Sequence, residues 1–408
     1  MKNFTYLLAI AAATVCLTSV FVNASPNGLY PGDDEKAPLS LGQGVNSATG
    51  DAAGFCVGLG QLRTQSGNVT GQTAEFQLLE IDSETSLRES LDVTASGSLS
   101  FGLFGGGSAR MRFANSVNKN SRSKYLMVHT RVANQIELAS SFELTQEAQK
   151  LAQNSGANTT RFIKQCGDHF IYGRRTGGEF FALFEFEMRS DEESKQFSTA
   201  VQASGMGWKA AAEINSSLAQ MNVFAQTQLK MLRLGATGAF PEVENLQDFA
   251  RKFPDMVATV NSGAVTLQLI SKDYSGVEPL TLRQPNQEDL NRQRIVLDQI
   301  AKMRDRGLET LSTVTYIQDH ASRFRLPSGT QSLSVAQVDL NEYINTVLES
   351  ASECFANVYT GCRLPTVRFP SINFPEEKNC ESVSKEVCAL ASESGCLIYK
   401  IVTINECK

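Results

Sequence analysis

The order of apolar and polar positions divides the chain into strand-like and helix-like stretches. Strands are predicted for 74–81, 124–135 and 180–187, because short apolar runs of this length are typical of strands. The last of these runs ends in alternating Phe and Glu, which predicts one buried and one solvated face. Helices are predicted for three other stretches, namely 143–154, 286–315 and 339–358.

A longer alternation covers residues 91–117, with three glycines at 105–107. Small and polar residues separate its apolar positions, which include Leu91, Val93, Leu99, Phe101, Leu103, Met111 and Phe113. The pattern predicts a two-stranded hairpin, and each arm is close to the roughly 9–11 residues of a tilted membrane-spanning strand. Half-buried strands of soluble sheets alternate in the same way, so the pattern taken alone favours an edge hairpin or loop.

The stretch 196–232 fits the helical and the strand period about equally well. Its second half alternates apolar and polar residues over 221–231, whereas its Ala-rich centre at 210–218 is also typical of a helix. The apolar positions expected to line two hairpin arms here are Phe197, Val201, Val223, Leu229 and Met231.

A compact motif lies between these two stretches. Gly167, His169 and Phe170 open it, and six residues later the pair Gly177 and Gly178 precedes the strand predicted for 180–187. The glycine pair allows the backbone to bend or to be approached closely. Taken alone, the motif favours a buried core histidine and an ordinary glycine turn.

This motif resembles the signature of the membrane-attack-complex/perforin (MACPF) family, within the wider MACPF/cholesterol-dependent cytolysin superfamily. The five motif residues match the family positions and spacing, whereas Cys166 and Asp168 stand where the family has an aromatic and a hydroxyl residue. The run at 41–46 is similar to a sequence at the start of many domains of this family. The resemblance covers about two-thirds of the chain, 41–320.

The resemblance implies an α+β fold with a bent, twisted, four-stranded antiparallel sheet flanked by helical clusters, followed by a small disulfide-rich C-terminal region. It also implies that 89–121 and 192–232 are helical in the soluble protein and unfurl into amphipathic hairpins on insertion. Their apolar positions would then face lipid, and the glycine pair would act as a hinge of the sheet. His169 and Phe170 would brace the sheet from the core. Bulky residues at the two glycines are expected to block lysis and leave folding intact.

Insertion of such hairpins requires assembly. A lipid-exposed strand needs every backbone N–H and C=O group paired, so an isolated hairpin cannot insert and many subunits must close one barrel. The resemblance therefore implies a homo-oligomer on the membrane, with a target-membrane lipid or a surface receptor as the first partner.

Composition gives no support to several other functions. The 408 residues carry a net charge of −6 without a basic block, so nucleic-acid binding has no electrostatic support. The three histidines are far apart and show no metal-ligand spacing, so neither a metal nor a cofactor is expected. Nucleophile elbows, phosphate loops and zinc motifs are absent from the sequence. Asp168 and His169 are adjacent but have no nucleophile beside them in sequence, so an enzyme is not predicted.

The N-terminus is typical of a secretory signal. Lys2 precedes an apolar run over 4–22, and Ala24 ends an acceptable cleavage site. An uncleaved anchor is the alternative, because the run approaches the ~20 residues that span a bilayer. We expect cleavage after Ala24, because turn-forming residues follow at 25–28, and hence secretion followed by association with a target membrane. The expected divisions are a signal peptide at 1–24, an irregular segment at 25–40, a MACPF-like domain at 41–320 and a helical and cysteine-rich region at 321–408.

Cysteine usage predicts disulfides. Nine cysteines, less Cys16 in the leader, leave eight, an even number in an exported chain. The simplest pairing joins Cys56 to Cys166 and closes three bridges in the tail, whose connectivity stays open. The tail cysteines are Cys354, Cys362, Cys380, Cys388, Cys396 and Cys407.

Two functions remain open at this point. The first is a secreted pore-forming protein that inserts two hairpins per subunit. The second is a non-lytic exported protein that uses the same fold in adhesion or signalling. The acidic net charge and the shortness of both insertion segments keep the second reading open.

Overall fold

The structure is a computed structural model, and it describes most of the chain in separate ranges. These are 29–32, 39–65, 71–104, 107–120, 123–152, 157–188, 191–204, 228–235, 263–275, 287–326, 331–356, 362–378, 380–392 and 395–407, with a few isolated positions between them. The expected signal peptide at 1–24 lies outside the described residues.

The described elements are numbered along the chain. The strands are β1 (Leu29–Pro31), β2 (Gln43–Val45), β3 (Ala52–Phe55), β4 (Val57–Leu59), β5 (Leu62–Thr64), β6 (Thr73–Ile81), β7 (Ser123–Ala139), β8 (Phe142–Leu144), β9 (His169–Glu187), β10 (Gln228–Leu234), β11 (Val265–Asp273), β12 (Cys380–Ser392) and β13 (Gly395–Cys407). The helices are α1 (Glu84–Ser90), α2 (Ala95–Phe104), α3 (Ala109–Asn115), α4 (Gln146–Ala152), α5 (Ala157–Cys166), α6 (Asp191–Ser204), α7 (Gln287–Asp319) and α8 (Gln331–Ala356).

The long strands β7 and β9 form the centre of an antiparallel sheet. β6 pairs with β7, on the side away from β9. The other side of β9 pairs first with β11 and then, beyond the glycine pair, with β10. The sheet is therefore four strands wide at its centre, in the order β6, β7, β9 and then β10 or β11. Short strands bring its total to nine among the described residues. The predicted α+β class, with an antiparallel sheet and helical clusters, is confirmed.

Both faces of this sheet are buried along β9, which corrects the prediction of a solvated face for 180–187. Phe186 packs on one face, where its ring centroid lies 5.2 Å from that of Phe197 on α6. Phe181 and Leu183 pack on the opposite face, against residues of α1 and α3. Helices thus cover both faces of the sheet, and only the end of the strand keeps the expected half-exposed glutamates.

The segment from α1 to α3 is helical instead of forming the hairpin that its alternation predicts. The Ser83 hydroxyl caps α1 in a reciprocal capping box with Ser86. The Ser108 hydroxyl accepts a bond from the Met111 N–H at 3.2 Å and so caps α3. These caps and the packing on the sheet favour short helices. This helical state is the one that the family resemblance implies for a soluble form.

The second alternating stretch is divided between a helix and a strand. Phe197 and Val201 lie on α6, whereas Leu229 and Met231 lie on β10. The described part of the second arm, from Gln228, is therefore already a strand that pairs antiparallel with β9. Val223, which was also predicted to line a hairpin arm, lies outside the described residues.

The C-terminal helices α7 and α8 form an antiparallel pair. They pack on the segment from α1 to α3, residues 84–115, which is called the first segment below. The helix predicted for 286–315 is confirmed as α7, whereas α8 begins at Gln331, well before the predicted start at 339. Leu99 of α2 is fully buried in a cluster with residues of α7 and α8. Among the described helices, none combines the length and the apolar content that crossing a membrane requires.

An extended arm, residues 362–378, returns along these helices. The Arg306 guanidinium lies 3.9 Å from the ring centroid of Phe369. Near its end, the arm makes main-chain hydrogen bonds of 2.8 Å to Arg323 and Arg325. The arm leads into the two-stranded hairpin β12–β13, in which Cys380 lies opposite Cys407.

One further prediction changes in detail, and one of the expected bridges in the tail is now defined. The segment expected to be irregular, 25–40, contains the strand β1, which pairs with β11. A disulfide joins Cys354 at the end of α8 to Cys362 at the start of the arm. The side chains of Cys380, Cys388, Cys396 and Cys407 lie outside the described set, so their pairing stays open.

Cys56 and Cys166 form the disulfide that the simplest pairing predicts. Both residues are buried beside Phe170 in the cluster formed by α4, α5 and the small sheet of β4 and β8. The bond therefore ties the residue before β4 to the end of α5, just ahead of the glycine motif.

Replacing both Cys56 and Cys166 with Ala is expected to lower the free energy of unfolding by about 3–5 kcal/mol. The bond joins residues 110 positions apart and so closes a long loop in the unfolded chain. Urea unfolding followed by circular dichroism measures the change. The matched control removes Cys354 and Cys362, only 8 positions apart, and should cost about 2 kcal/mol less. A larger loss from the short loop would contradict the prediction.

Candidate functional site

The pair Gly177 and Gly178 lies inside β9, where three neighbouring strands meet. Gly177 pairs with Ala133 on β7 and with Val265 on β11, and β10 takes over as the partner of β9 beyond Gly178. A Cβ atom at Gly177 would lie 2.1 Å from the Val132 carbonyl oxygen. The strand β9 therefore changes its pairing partner at a position where only glycine fits. This is the position at which a hinge was predicted.

A third glycine, Gly235, packs closely against the same position. Gly235 follows β10 with a φ of +72°, a left-handed conformation that favours glycine. A Cβ atom at Gly235 would lie 2.7 Å from the Gly177 carbonyl oxygen. The strand register of β7 also shifts nearby, between Ala133 and Ile136. Close backbone packing and a register irregularity coincide at the predicted hinge.

The opening of the motif is a turn held by a carboxylate. Gly167 has a φ of +73°, and a Cβ atom there would lie 2.4 Å from the Val45 carbonyl oxygen. Asp168 accepts hydrogen bonds from the Ser47 N–H at 2.7 Å and from the Ser47 hydroxyl at 2.5 Å. Asp168, one of the two residues that depart from the family pattern, thus connects the loop after β2 to the start of β9.

His169 and Phe170 lie in the core, as the resemblance implies. His169 Nδ1 lies 3.2 Å from Asp168 Oδ2. The Phe170 ring centroid lies 5.4 Å from that of Phe142 and 5.1 Å from that of Tyr274. Burial opposes ionisation of Asp168, but the bonds with His169 and Ser47 hold the pKa of this carboxyl below its usual value.

The contacts of Asp168 do not create a nucleophile. The Ser47 hydroxyl donates to Asp168 Oδ2, and His169 Nδ1 contacts the same oxygen. A serine nucleophile needs its proton taken by a histidine that an acid orients, whereas here the acid stands between the two. The arrangement therefore stabilises a turn and gives no support to acyl-transfer chemistry.

The residue after the glycine pair, Glu179, is a fully buried carboxylate that sequence analysis missed. Arg110 of α3 donates to its Oε2 atom, and Arg131 of β7 donates to Oε1. His129 Nε2 lies 3.1 Å from Oε1, and Arg131 also contacts Asp92 of the first segment. Glu179 therefore joins the hinge of the sheet to the first helical segment.

The charges around Glu179 keep it ionised. Burial alone would raise the pKa of this carboxyl, but the hydrogen bond with His129 and the charges of Arg110 and Arg131 outweigh it and lower the pKa to about 2. The sequence carried one signal for this site, since Glu179 is a single carboxylate inside the otherwise apolar run 177–184. Its cationic partners lie 69 and 48 positions away, so only the tertiary structure brings them together.

Replacing Glu179 with Gln is expected to lower the free energy of unfolding at pH 7 by roughly 3–5 kcal/mol, because Arg110 loses the partner of a buried ion pair. In the native protein the stabilisation by Glu179 is present above its unfolded pKa, near 4.5, and is lost as the pH falls towards 2. The variant should therefore lose less stability than the native protein between pH 5 and pH 2 (approximate limits set by these two pKa values).

Chemical denaturation at a series of pH values measures this difference. Glu137→Gln is the control, because Glu137 and Arg174 form a partly exposed ion pair on the same two strands. The prediction would be wrong if both variants showed the same pH dependence as the native protein.

A second set of polar contacts holds the first segment to α7. Arg304 donates to the Ser98 hydroxyl of α2, and its Nη2 atom lies 3.2 Å from Asn115 Oδ1 at the end of α3. Arg88 of α1 lies 3.2 Å from Asp305. A cavity of about 550 Å³ remains between this segment, the ends of β9 and β10, and α7. Charged and polar side chains therefore hold the first segment to α7 beside this cavity.

The apolar residues predicted to enter lipid are mostly core residues in this structure. Leu91, Val93, Met111 and Phe113 are buried together against the sheet, with Phe101 partly buried beside them. Leu99 and Leu103 pack instead between α7 and α8. In the second stretch, Phe197 is buried, Val201 and Leu229 are partly buried, and Met231 is 39% exposed.

Comparison with known proteins finds likeness in solved structures. No family model matches the sequence, and no curated protein matches it. The chain is similar to stonustoxin (TM-score 0.45, 12% identity, 81% of this chain and 42% of that chain) and to GNIP1Aa from Chromobacterium piscinae (TM-score 0.34, 9% identity, 68% and 57%). It is also similar to a protein with a MAC/Perforin domain from Bacteroides thetaiotaomicron (TM-score 0.25, 12% identity, 93% and 70%). The chain spans less than two-thirds of the length of the first two.

Proposed function

We propose that this chain is a secreted, MACPF-like pore-forming protein. It oligomerises on a target membrane and inserts two amphipathic β-hairpins per subunit into a shared barrel. Residues 89–121 supply the first hairpin and 192–232 the second. The initial contact is with a membrane lipid or a surface receptor.

One observation carries the proposal. Residues 91–117 have the two-residue alternation of a half-lipid, half-water strand, yet they contain two short helices, α2 and α3. In the helical state, Leu91, Val93, Met111 and Phe113 are buried against the sheet. In a hairpin, the same residues would all lie on one face. A segment whose sequence suits one structure and whose contacts hold another is suited to a conformational switch.

The edges of the central sheet support assembly. Among the described strands, β6 pairs only with β7, and β10 pairs only with β9. Each of these strands therefore has a second side on which the backbone groups can pair with another strand. Copies of the chain joined edge to edge would continue one sheet, as barrel closure requires.

Dye release from lipid vesicles tests the proposal. The mature chain from Ser25 is added to vesicles made with lipid extracts of several cell types. Release that depends steeply on protein concentration, together with ring-shaped oligomers in electron micrographs, is expected from the pore-forming protein. Absence of release from every extract, with folding verified by circular dichroism, would count against it.

A second function is favoured by the contacts of the first segment. The Arg110–Glu179 pair is fully buried, and breaking it would leave an uncompensated charge in the core. A segment held in this way suits a protein that keeps its soluble form, such as a non-lytic exported adhesion or signalling protein. Vesicle binding or receptor binding without dye release would support this second function.

A further inference from the structure

We propose that Glu179 couples a change in the direction of β9 at Gly177 and Gly178 to the docking of the first segment. Such a change would move the Glu179 carboxylate away from Arg110 and so release α3 from the sheet. The inference deepens the proposed function, on which its biological role rests, by naming the group that controls the release of the first hairpin.

The position of Glu179 is the first argument. It follows Gly178 directly, at the point where β10 replaces β11 as the partner of β9. Any rotation at the glycine pair therefore changes the direction of the Glu179 side chain relative to the helices above the sheet. A carboxylate farther along the strand would be less sensitive to this hinge.

The contacts of the carboxylate are the second argument. One oxygen binds Arg110, which belongs to the first segment, and the other binds His129 and Arg131, which belong to β7. Arg131 also contacts Asp92, between α1 and α2. Two separate parts of the segment are thus connected to one carboxylate, directly at Arg110 and through Arg131 at Asp92.

Burial makes this contact all-or-none. Arg110 is 1% exposed, and Glu179 is not exposed. A buried charge without its partner is strongly unfavourable, so Arg110 has few stable positions between the docked state and full exposure to water. The segment is therefore expected to leave the sheet as a unit and not by gradual loosening.

The other anchors of the segment are of a different kind. Arg88, Ser98 and Asn115 contact α7, which is not part of the sheet. A change confined to the sheet leaves these contacts with α7 in place, whereas it acts directly on the contacts of Glu179. Loss of the Glu179 contacts is therefore the step that belongs to the hinge itself.

Hydrogen exchange of the full mature chain in solution, read by mass spectrometry, tests the coupling without a membrane. Glu179→Gln and Arg110→Gln are each expected to speed exchange in peptides from 84–117 at pH 7 by about ten-fold or more beyond any change in α8. The matched control Glu137→Gln removes the ion pair with Arg174 on the same strands and should leave 84–117 unchanged.

A double-mutant cycle separates coupling from simple destabilisation. Gly177→Ala perturbs the backbone of β9 beside Glu179, because its Cβ atom would meet the Val132 carbonyl oxygen, and should speed exchange in 84–117. In the Glu179→Gln background it should add less than about two-fold, because the link is already broken. Gly178→Ala, whose Cβ atom would meet the Val260 side chain, replaces Gly177→Ala if the latter does not fold.

Independent, multiplicative effects of the two substitutions would overturn the coupling, as would equal acceleration throughout the chain. Failure of the proposed function has a separate signature. In that case the exchange results stand, while neither the native protein nor Glu179→Gln releases dye from vesicles. If both ideas hold, Glu179→Gln releases dye faster than the native protein.

Discussion

A disulfide between positions 102 and 348 is expected to reduce dye release to the level of vesicles without protein. Gly102 lies on α2, and a Cβ atom there would lie 3.3 Å from Leu348 Cδ2 on α8. Positions 102 and 348 are therefore neighbours in the packed structure, and Gly102→Cys with Leu348→Cys is the pair chosen for the disulfide. The bond would hold the first segment against α8, so its residues could not enter a barrel. Dye release is measured before and after mild reduction, which should restore it.

The control disulfide uses Gly307→Cys with Ile344→Cys. A Cβ atom at Gly307 would lie 2.7 Å from Ile344 Cγ1, so this bond joins α7 to α8 without touching the first segment. It should leave release unchanged, and the native protein treated with the same reductant corrects for its own disulfides. Continued release by the oxidised 102–348 protein would show that the first segment does not need to leave α8.

Gly177→Val is expected to cost about 4 kcal/mol or more of unfolding free energy, a large part of the roughly 5–15 kcal/mol of an ordinary folded protein. A Cβ atom at Gly177 would meet the Val132 carbonyl oxygen at 2.1 Å and the Ala133 Cα atom at 3.0 Å. Both neighbours are backbone atoms of a central strand and have little freedom to move. Urea unfolding and the yield of folded protein measure the effect.

This result changes the expectation drawn from the family resemblance, that bulky residues at the hinge block lysis and leave folding intact. Gly58→Val is the matched control, because Gly58 also lies in a strand and its Cβ atom would meet only the Glu143 carbonyl oxygen at 3.9 Å. It should cost less than about 1 kcal/mol. If Gly177→Val folded as stably as the control, the packing at the hinge would not be as tight as described.

Much of the sheet could be predicted from the sequence. The strand predicted for 74–81 agrees with β6, and the one predicted for 124–135 lies within β7. The extent of β9 could not be read in the same way, because the two glycines in its middle are typical of a turn. Pairing with β7 on one side and with β10 and β11 on the other keeps the strand continuous.

The first segment marks the limit of pattern analysis. Alternation over 91–117 describes which residues share a face in a strand, but short helices with serine caps can bury the same apolar residues when other elements surround them. The choice between the two depends on the sheet, α7 and α8, which lie far away in sequence. The local pattern is therefore compatible with a hairpin and with short helices, and long-range packing decides between them.

The sequence by itself determined the chemistry available to this protein: the α+β alternation of elements, the motif with Gly177 and Gly178, the even set of cysteines and the acidic charge. Only the tertiary structure decided where Glu179 lies and which cations surround it. The reason is physical, because local periodicity reports which side of an element is apolar, whereas a buried ion pair depends on elements that meet only after folding. The connection between hinge and first segment is of this second kind.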